Sequence, residues 1–422
     1  MALFDKVSFL FRISRLLVLV AGCLLVFTGC ATRQEFAKRD VSTGEMQAVM
    51  QDRPAELQSA YRRLLEEGQR NAVLNNMKLG LDARQLGYLD EAQKAFEAAT
   101  LSISTVYADN EDAAKARSLW YEEGQKDFKG EPYERAMAFY YLGLNDLERG
   151  DFENARASFK SGIQQDAFAE EDQNRCDFAS LIFMEGWASQ LNNDMGISRD
   201  AYDEVKKWRP DFEEPFDKNT LVIIETGKSP RKVADGAGHS QLKFRRGRDF
   251  EEYRAEVSVN GGPYVEAYPM EDIYLQATTR GGRPVDNILK GKAVFRSQNV
   301  KIGSTLSSAS EKVMMAASAM TAVPVVMAAG AALGLVSVTQ MALAARSRVR
   351  ADTRYWDNLP DSTHILPLKL TPGKYTLDVR FRNRFGSIIP GMKVVKKIEM
   401  TGDTLPLVWI KSRRELSQDL AY

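Results

Sequence analysis

The chain has 422 residues, with 57 Lys+Arg balanced by 57 Asp+Glu, two His and three Cys. An apolar content of 44% and a charged content of 27% are those of a globular protein and exclude wholesale disorder. Zero net charge argues against a dedicated nucleic-acid binder, and so few His and Cys leave a zinc site short of ligands.

Lys6, Arg12 and Arg15 precede an uncharged, Leu/Val-rich run from Leu16 to Gly29, the pattern of a secretory leader. The run closes Phe27-Thr28-Gly29-Cys30, which resembles the lipobox of bacterial lipoproteins, with Phe27 where Leu is usual. The resemblance implies removal of 1–29, lipidation of Cys30 and, with Ala at position 31 rather than Asp, an outer-membrane address facing the periplasm. Cleavage at Cys23 would leave an apolar core shorter than the roughly 7–15 residues of a leader. An uncleaved anchor helix is the competing reading, but the run falls short of the ~20 residues that span a bilayer. Removal of the leader leaves Cys176 as the remaining thiol, so no intramolecular disulfide is expected.

From Glu35 to about Arg209 helix formers recur at 3.6-residue spacing, with little Pro and with Gly near helix ends. Leu79-Gly80, Ala83, Gly87, Ala92, Phe96 and Ala99 sit at the offsets of the tetratricopeptide pattern, in which small residues let two helices approach and a large one fills the gap. The same frame catches Leu142-Gly143, Gly150, Ala155, Phe159 and Gly162, and more loosely Gly186, Ser189, Tyr202, Val205 and Pro210. The expected packing residues are therefore Gly80, Ala92, Phe96, Gly143, Ala155 and Phe159. An irregular bundle with chance Ala/Gly spacing is the plainer alternative. Glu131-Pro132 suits a helix start, and Phe139-Tyr140-Tyr141 reads first as inter-helix packing and second as a groove for a peptide.

After Pro215 the pattern turns to strands. Leu221–Thr226, Ala255–Val259, Lys292–Arg296, Ile365–Leu370, Lys374–Arg382, Met392–Met400 and Leu405–Ile410 are short β-type runs, and Thr371-Pro372-Gly373 is a turn. Tyr375, Leu377, Val379 and Phe381 alternate with polar residues, so one face is buried. The expected architecture is an antiparallel β-sandwich. Lys228, Arg231, Lys232, Arg245, Arg246 and Arg248, interrupted by acids, read first as a solvated face and second as a contact for anionic lipopolysaccharide or phospholipid.

Val313 to Ala345 carries no charge and is Ala-rich, with Gly330 and Gly334 in a small-xxx-small spacing that permits close helix contact. Pro324 divides it. The stretch from about Val325 to Ala345 is long enough to span a bilayer, and Arg346, Arg348, Arg350, Tyr355 and Trp356 form a basic and aromatic flank. Membrane insertion, burial in protein or at an oligomer contact, and a disordered insert compete.

The lipobox, the Phe128-Lys129-Gly130-Glu131-Pro132-Tyr133-Glu134 phrase and the Ala351-Asp352-Thr353-Arg354-Tyr355-Trp356 phrase together resemble an uncharacterised family of bacterial tetratricopeptide-containing outer-membrane lipoproteins. The expected class is α+β multidomain: leader 1–29, helical repeats 30–215, a β-rich region 216–312, the apolar segment 313–345 and a second β-rich part 346–422. His239 and His364 read as ordinary residues, and no nucleophile elbow, phosphate loop or HExxH helix occurs. The expectation is a non-enzymatic envelope scaffold without cofactor or metal, binding an envelope protein and forming a homo-oligomer at most. The alternative is an oligomeric, membrane-inserting or pore-forming component built on 313–345.

Overall fold

A computed structural model describes residues 38–108, 127–166, 177–235, 241–279, 351–402 and 405–417. The leader, Cys23, Cys30, Cys176, His239, the strand expected at 292–296 and the segment bearing Gly330 and Gly334 lie outside the described residues.

The first half is helical: α1 (Thr43–Met50), α2 (Gln58–Glu67), α3 (Ala72–Leu86), α4 (Leu89–Ala108), α5 (Pro132–Glu148), α6 (Phe152–Asp166), α7 (Ala179–Leu191) and α8 (Met195–Trp208). Three hairpins, α3/α4, α5/α6 and α7/α8, are built on one repeated contact. A Cβ added at Gly80 would lie 2.8 Å from the Phe96 ring, at Gly143 2.5 Å from Phe159, and at Gly186 2.7 Å from Tyr202. Each ring therefore occupies the space that a side chain on the first helix would need. The connecting turns repeat as well. Gly87, Gly150 and Asn193 are left-handed, with φ of 87°, 76° and 62°. In each turn the next N–H bonds a carbonyl five residues back: Tyr88 to Ala83 at 2.8 Å, Asp151 to Asp146 at 3.0 Å, Asp194 to Ser189 at 2.8 Å. The third unit is faint in the sequence because Asn193 and the buried Ser198 stand where the other two use Gly and Ala. Asn tolerates the left-handed conformation and Ser is small, so the geometry survives.

The strands are β1 (Thr220–Thr226), β2 (Arg231–Asp235), β3 (Gln241–Arg245), β4 (Arg254–Val259), β5 (Val265–Glu266), β6 (Tyr268–Asp272), β7 (Ser362–Leu368), β8 (Gly373–Arg382), β9 (Ile388–Met400) and β10 (Leu405–Lys411), with α9 (Ile273–Thr279) after β6. One four-stranded sheet runs β10-β1-β7-β6, another β5-β4-β8-β9, and β2-β3 is a separate hairpin. Pairing is antiparallel except between β1 and β10, which are parallel, so the all-antiparallel expectation needs that correction. Both partners of β1, β7 and β10, come from the C-terminal part of the β-rich region, and the long connection from β1 frees β10 to run alongside it in parallel.

β1 is buried along its whole length. Val222 and Ile224 join Leu366, Val408 and Ile410 in packing against Ala255, Val257, Leu377, Val379 and Phe381 of the other sheet. Leu221 and Ile223 point the opposite way, into a core shared with Tyr141, Phe183 and Trp187 of the helices. A strand covered on both faces reads as a continuous apolar run, as Leu221–Ile224 does. The first sheet is thus a middle layer, with helices on one side and the second sheet on the other.

Candidate functional site

The seam between helices and sheet is filled by an extended strap, residues 351–361. Its Trp356 is fully buried, with ring centroids 6.2 Å from Phe96 and 5.7 Å from Tyr141. Glu134, in the first turn of α5, holds three segments together. Its carboxylate accepts the Glu131 N–H at 2.8 Å, the Lys232 ammonium at 2.6 Å and the Trp356 N–H at 2.9 Å. Phe128 lies between two cations, 5.1 Å from the Lys232 ammonium and 5.4 Å from the Arg354 guanidinium. Arg354 is anchored by Asp352 at 2.7 Å and by the Asn71 side chain at 2.6 Å. The two phrases singled out in the sequence, 128–134 and 351–356, are one contact in the fold.

A second polar cluster continues along the seam. Lys78 pairs with Asp357 at 3.0 Å, while the Asn358 side chain donates to Asp82 at 2.7 Å. The Lys411 ammonium reaches the Asn358 carbonyl at 2.5 Å. Glu225 and Lys411 are register partners on β1 and β10. Burial pushes the Glu225 carboxyl up and the Lys411 ammonium down, and each charge opposes the shift of the other. Arg84 completes the cluster, donating to Asn145 at 2.5 Å and to Glu148 at 3.1 Å, with its guanidinium 4.9 Å from the Trp409 ring. The sequence signal for Glu225 was available: it is a carboxylate directly after the apolar run Leu221–Ile224 of a buried strand. Glu134, Lys232 and Arg354 carried no such signal, since charges beside turns are ordinarily solvated.

This seam opens to solvent in a cleft of about 250 Å³, lined by Lys228, Arg231, Arg248, Tyr355, Lys411 and Arg413 among others. Three of its five cations are matched. Lys228 pairs with Glu415 at 2.9 Å, Arg413 with Glu252 and, at 3.5 Å, with Glu415, and Lys411 is held as above. Arg231 and Arg248 form no ion pair among the described residues. Arg231 has instead only long contacts, 3.4–3.5 Å, to the Arg246 carbonyl, and its cross-strand partner is Arg245. Burial, then the neighbouring charge of Arg248, lowers the Arg231 pKa.

The basic stretch 228–248 is therefore not a uniformly solvated face. Lys232 is buried against Glu134, and Arg246 is tied to Asp272 at 2.6 Å and to Asp361, because β2-β3 folds back onto the start of α5. Phe244 of β3 packs edge-on against Tyr133, with centroids 5.9 Å apart. Gly80 and Phe96 meet across one helix pair and Gly143 and Phe159 across the next, Ala92 and Ala155 are buried, and none of the six lines the cleft. Tyr140 and Tyr141 are buried, and Phe139 nearly so. His364 is buried on β7, its Nε2 3.1 Å from the Tyr253 carbonyl, and burial pushes its pKa down to about 4. Among the described residues no group of three or more His, Cys, Asp or Glu is placed to hold a metal ion. Among them, too, no helix is long and apolar enough to cross a membrane.

Comparison with family models, with curated proteins and with solved structures finds no match for this chain.

Proposed function

We propose that this chain is a non-enzymatic lipoprotein of the bacterial outer membrane, anchored through Cys30 and acting as a rigid scaffold for another envelope protein. In this reading the helix hairpins are tetratricopeptide-like units and the two facing sheets are a β-sandwich. The repeated Gly80–Phe96, Gly143–Phe159 and Gly186–Tyr202 contacts support the first of these. The observation that carries the scaffold reading is that the inner face of the hairpins is already filled by the chain's own strap and middle sheet. A repeat domain that clasps a peptide keeps that face open; this one uses it to lock helices to strands. A partner then meets the outer surface, where Leu101 is 70% exposed on α4 and Phe385 77% exposed at the β8–β9 turn.

The test joins fractionation with a pull-down from solubilised envelopes using the lipidated chain. Acylation at Cys30, outer-membrane recovery and release by Cys30→Ala are expected, with one partner retained by the parent and lost in Leu101→Ser or Phe385→Ser. Acylated Cys23 overturns the anchor assignment. Membrane retention of Cys30→Ala that disappears on deleting 313–345 favours the membrane-inserting alternative.

A further inference from the structure

We propose that the cleft between the β2–β3 hairpin and the strap is a binding site for a phosphate-type oxyanion, with Arg231 and Arg248 as its two arms. The argument starts from charge balance. Lys228 and Arg413 each pair with a carboxylate and Lys411 is held by the Asn358 carbonyl at 2.5 Å, whereas Arg231 has only the long contacts to the Arg246 carbonyl and neither it nor Arg248 has an ion-pair partner among the described residues. The fold also gathers like charges here. Arg231 and Arg245 face one another directly across the β2–β3 ladder, an arrangement that destabilises a hairpin unless an anion sits between or beside them. Arg248 is then brought to the same rim by the loop after β3. That loop lies so close to Lys228 that a Cβ on Gly247 would stand 2.9 Å from the Lys228 carbonyl carbon. Glycine at 247 is thus what lets the second guanidinium reach the cleft.

The chemistry and the size narrow the ligand. A guanidinium offers a planar fork of donors that matches two oxygens of a tetrahedral anion, and two forks can hold it from separate sides. Tyr355 lines the same wall. Asp357 and Glu415 also line the cleft but are engaged, Asp357 by Lys78 and Glu415 by Lys228 and Arg413, which leaves Asp249 on the rim as the opposing charge. A volume of about 250 Å³ is below the ~300–1,000 Å³ of sites that enclose drug-sized ligands. It suits an inorganic phosphate or the phosphate of a headgroup with a few attached carbons.

The probe is the full chain carrying Cys30→Ala, titrated with inorganic phosphate and with glycerol phosphate, following melting temperature and heat of binding. Saturable binding to the parent is expected. Arg231→Gln and Arg248→Gln should each weaken it at least tenfold, since each removes charge-assisted hydrogen bonds. Without phosphate, Arg231→Gln should melt no lower than the parent, because it relieves the repulsion from Arg245 and Arg248. That sign separates a lost site from a damaged fold. Arg248→Lys, which keeps the charge and loses the fork, should fall between parent and Arg248→Gln. Glycerol phosphate binding at least tenfold tighter than phosphate assigns a headgroup, and equal affinity assigns the free anion. Absence of binding in the parent, or equal binding in parent and both Gln variants, overturns the proposal.

Discussion

Adding one methyl group at Gly143 sets two effects of known sign against each other. Replacing an interior helical Gly by Ala favours the helix by about 1 kcal/mol. Here, however, the new Cβ would stand 2.5–2.8 Å from three atoms of the Phe159 ring, which is fully buried and ringed by Tyr140 and the α5/α6 contact. Overpacking of this kind costs about 1–3 kcal/mol, so Gly143→Ala should be destabilising by up to about 2 kcal/mol net. Phe159→Leu alone should cost about 1–2 kcal/mol, from the loss of roughly two methylene equivalents. Combined, the two changes should lose less than their sum, with a coupling energy of about 1–2 kcal/mol, because Leu leaves room for the methyl group. Urea denaturation of the full chain and its three variants measures this, provided the slopes agree. A Gly143→Ala variant that is more stable than the parent would mean that propensity prevails and the close approach is not real. Strict additivity would refute the contact even if both single variants are weakened.

Trp356→Ala should cost about 3–5 kcal/mol, since it empties the space between Phe96 and Tyr141. Limited proteolysis should then cut first within 351–361, and a protected strap would show that Trp356 does not hold it. Lys232→Met leaves Glu134 buried without its ammonium partner, at a cost of about 3–5 kcal/mol. Adding Glu134→Gln should restore much of that, and an unchanged double variant would count against the pair. His364 predicts a pH effect. Its neutral form is native, with a pKa near 4 against 6.5 unfolded. Protons therefore favour the unfolded chain as pH falls from about 6.5 to about 4, removing about 3 kcal/mol of stability across that window. Asp361, pushed up to about 7, and Glu271, pushed up to about 8, bend the profile the other way. The measurement is therefore the difference between parent and His364→Gln, and identical slopes would refute the assignment.

Local pattern was enough for the helix hairpins and most of the strands. The contact between Gly143 and Phe159 spans sixteen residues and one turn, so periodicity and turn chemistry carry it. Strands β8 and β10 are legible for the same reason, in alternation or apolar continuity over a few residues. The charged hairpin β2-β3 was missed because its side chains look like a solvated surface until Glu134 and Tyr133 are placed beside them.

What tertiary structure alone decided is the joining of the two halves. Composition and spacing suggested separate helical and β-rich regions, yet one sheet belongs to both cores. The bond from Trp356 to Glu134 links positions 222 residues apart. Nothing local in either phrase specifies that pairing, because it depends on which faces remain apolar once every neighbouring element has packed. The same holds for Arg231 and Arg248. Their charge is plain in the sequence, but the shortage of partners around them exists only after Lys228, Lys232, Arg246 and Arg413 have found theirs. A residue's identity is a local property, while its charge balance and burial are sums over neighbours that only the folded chain supplies.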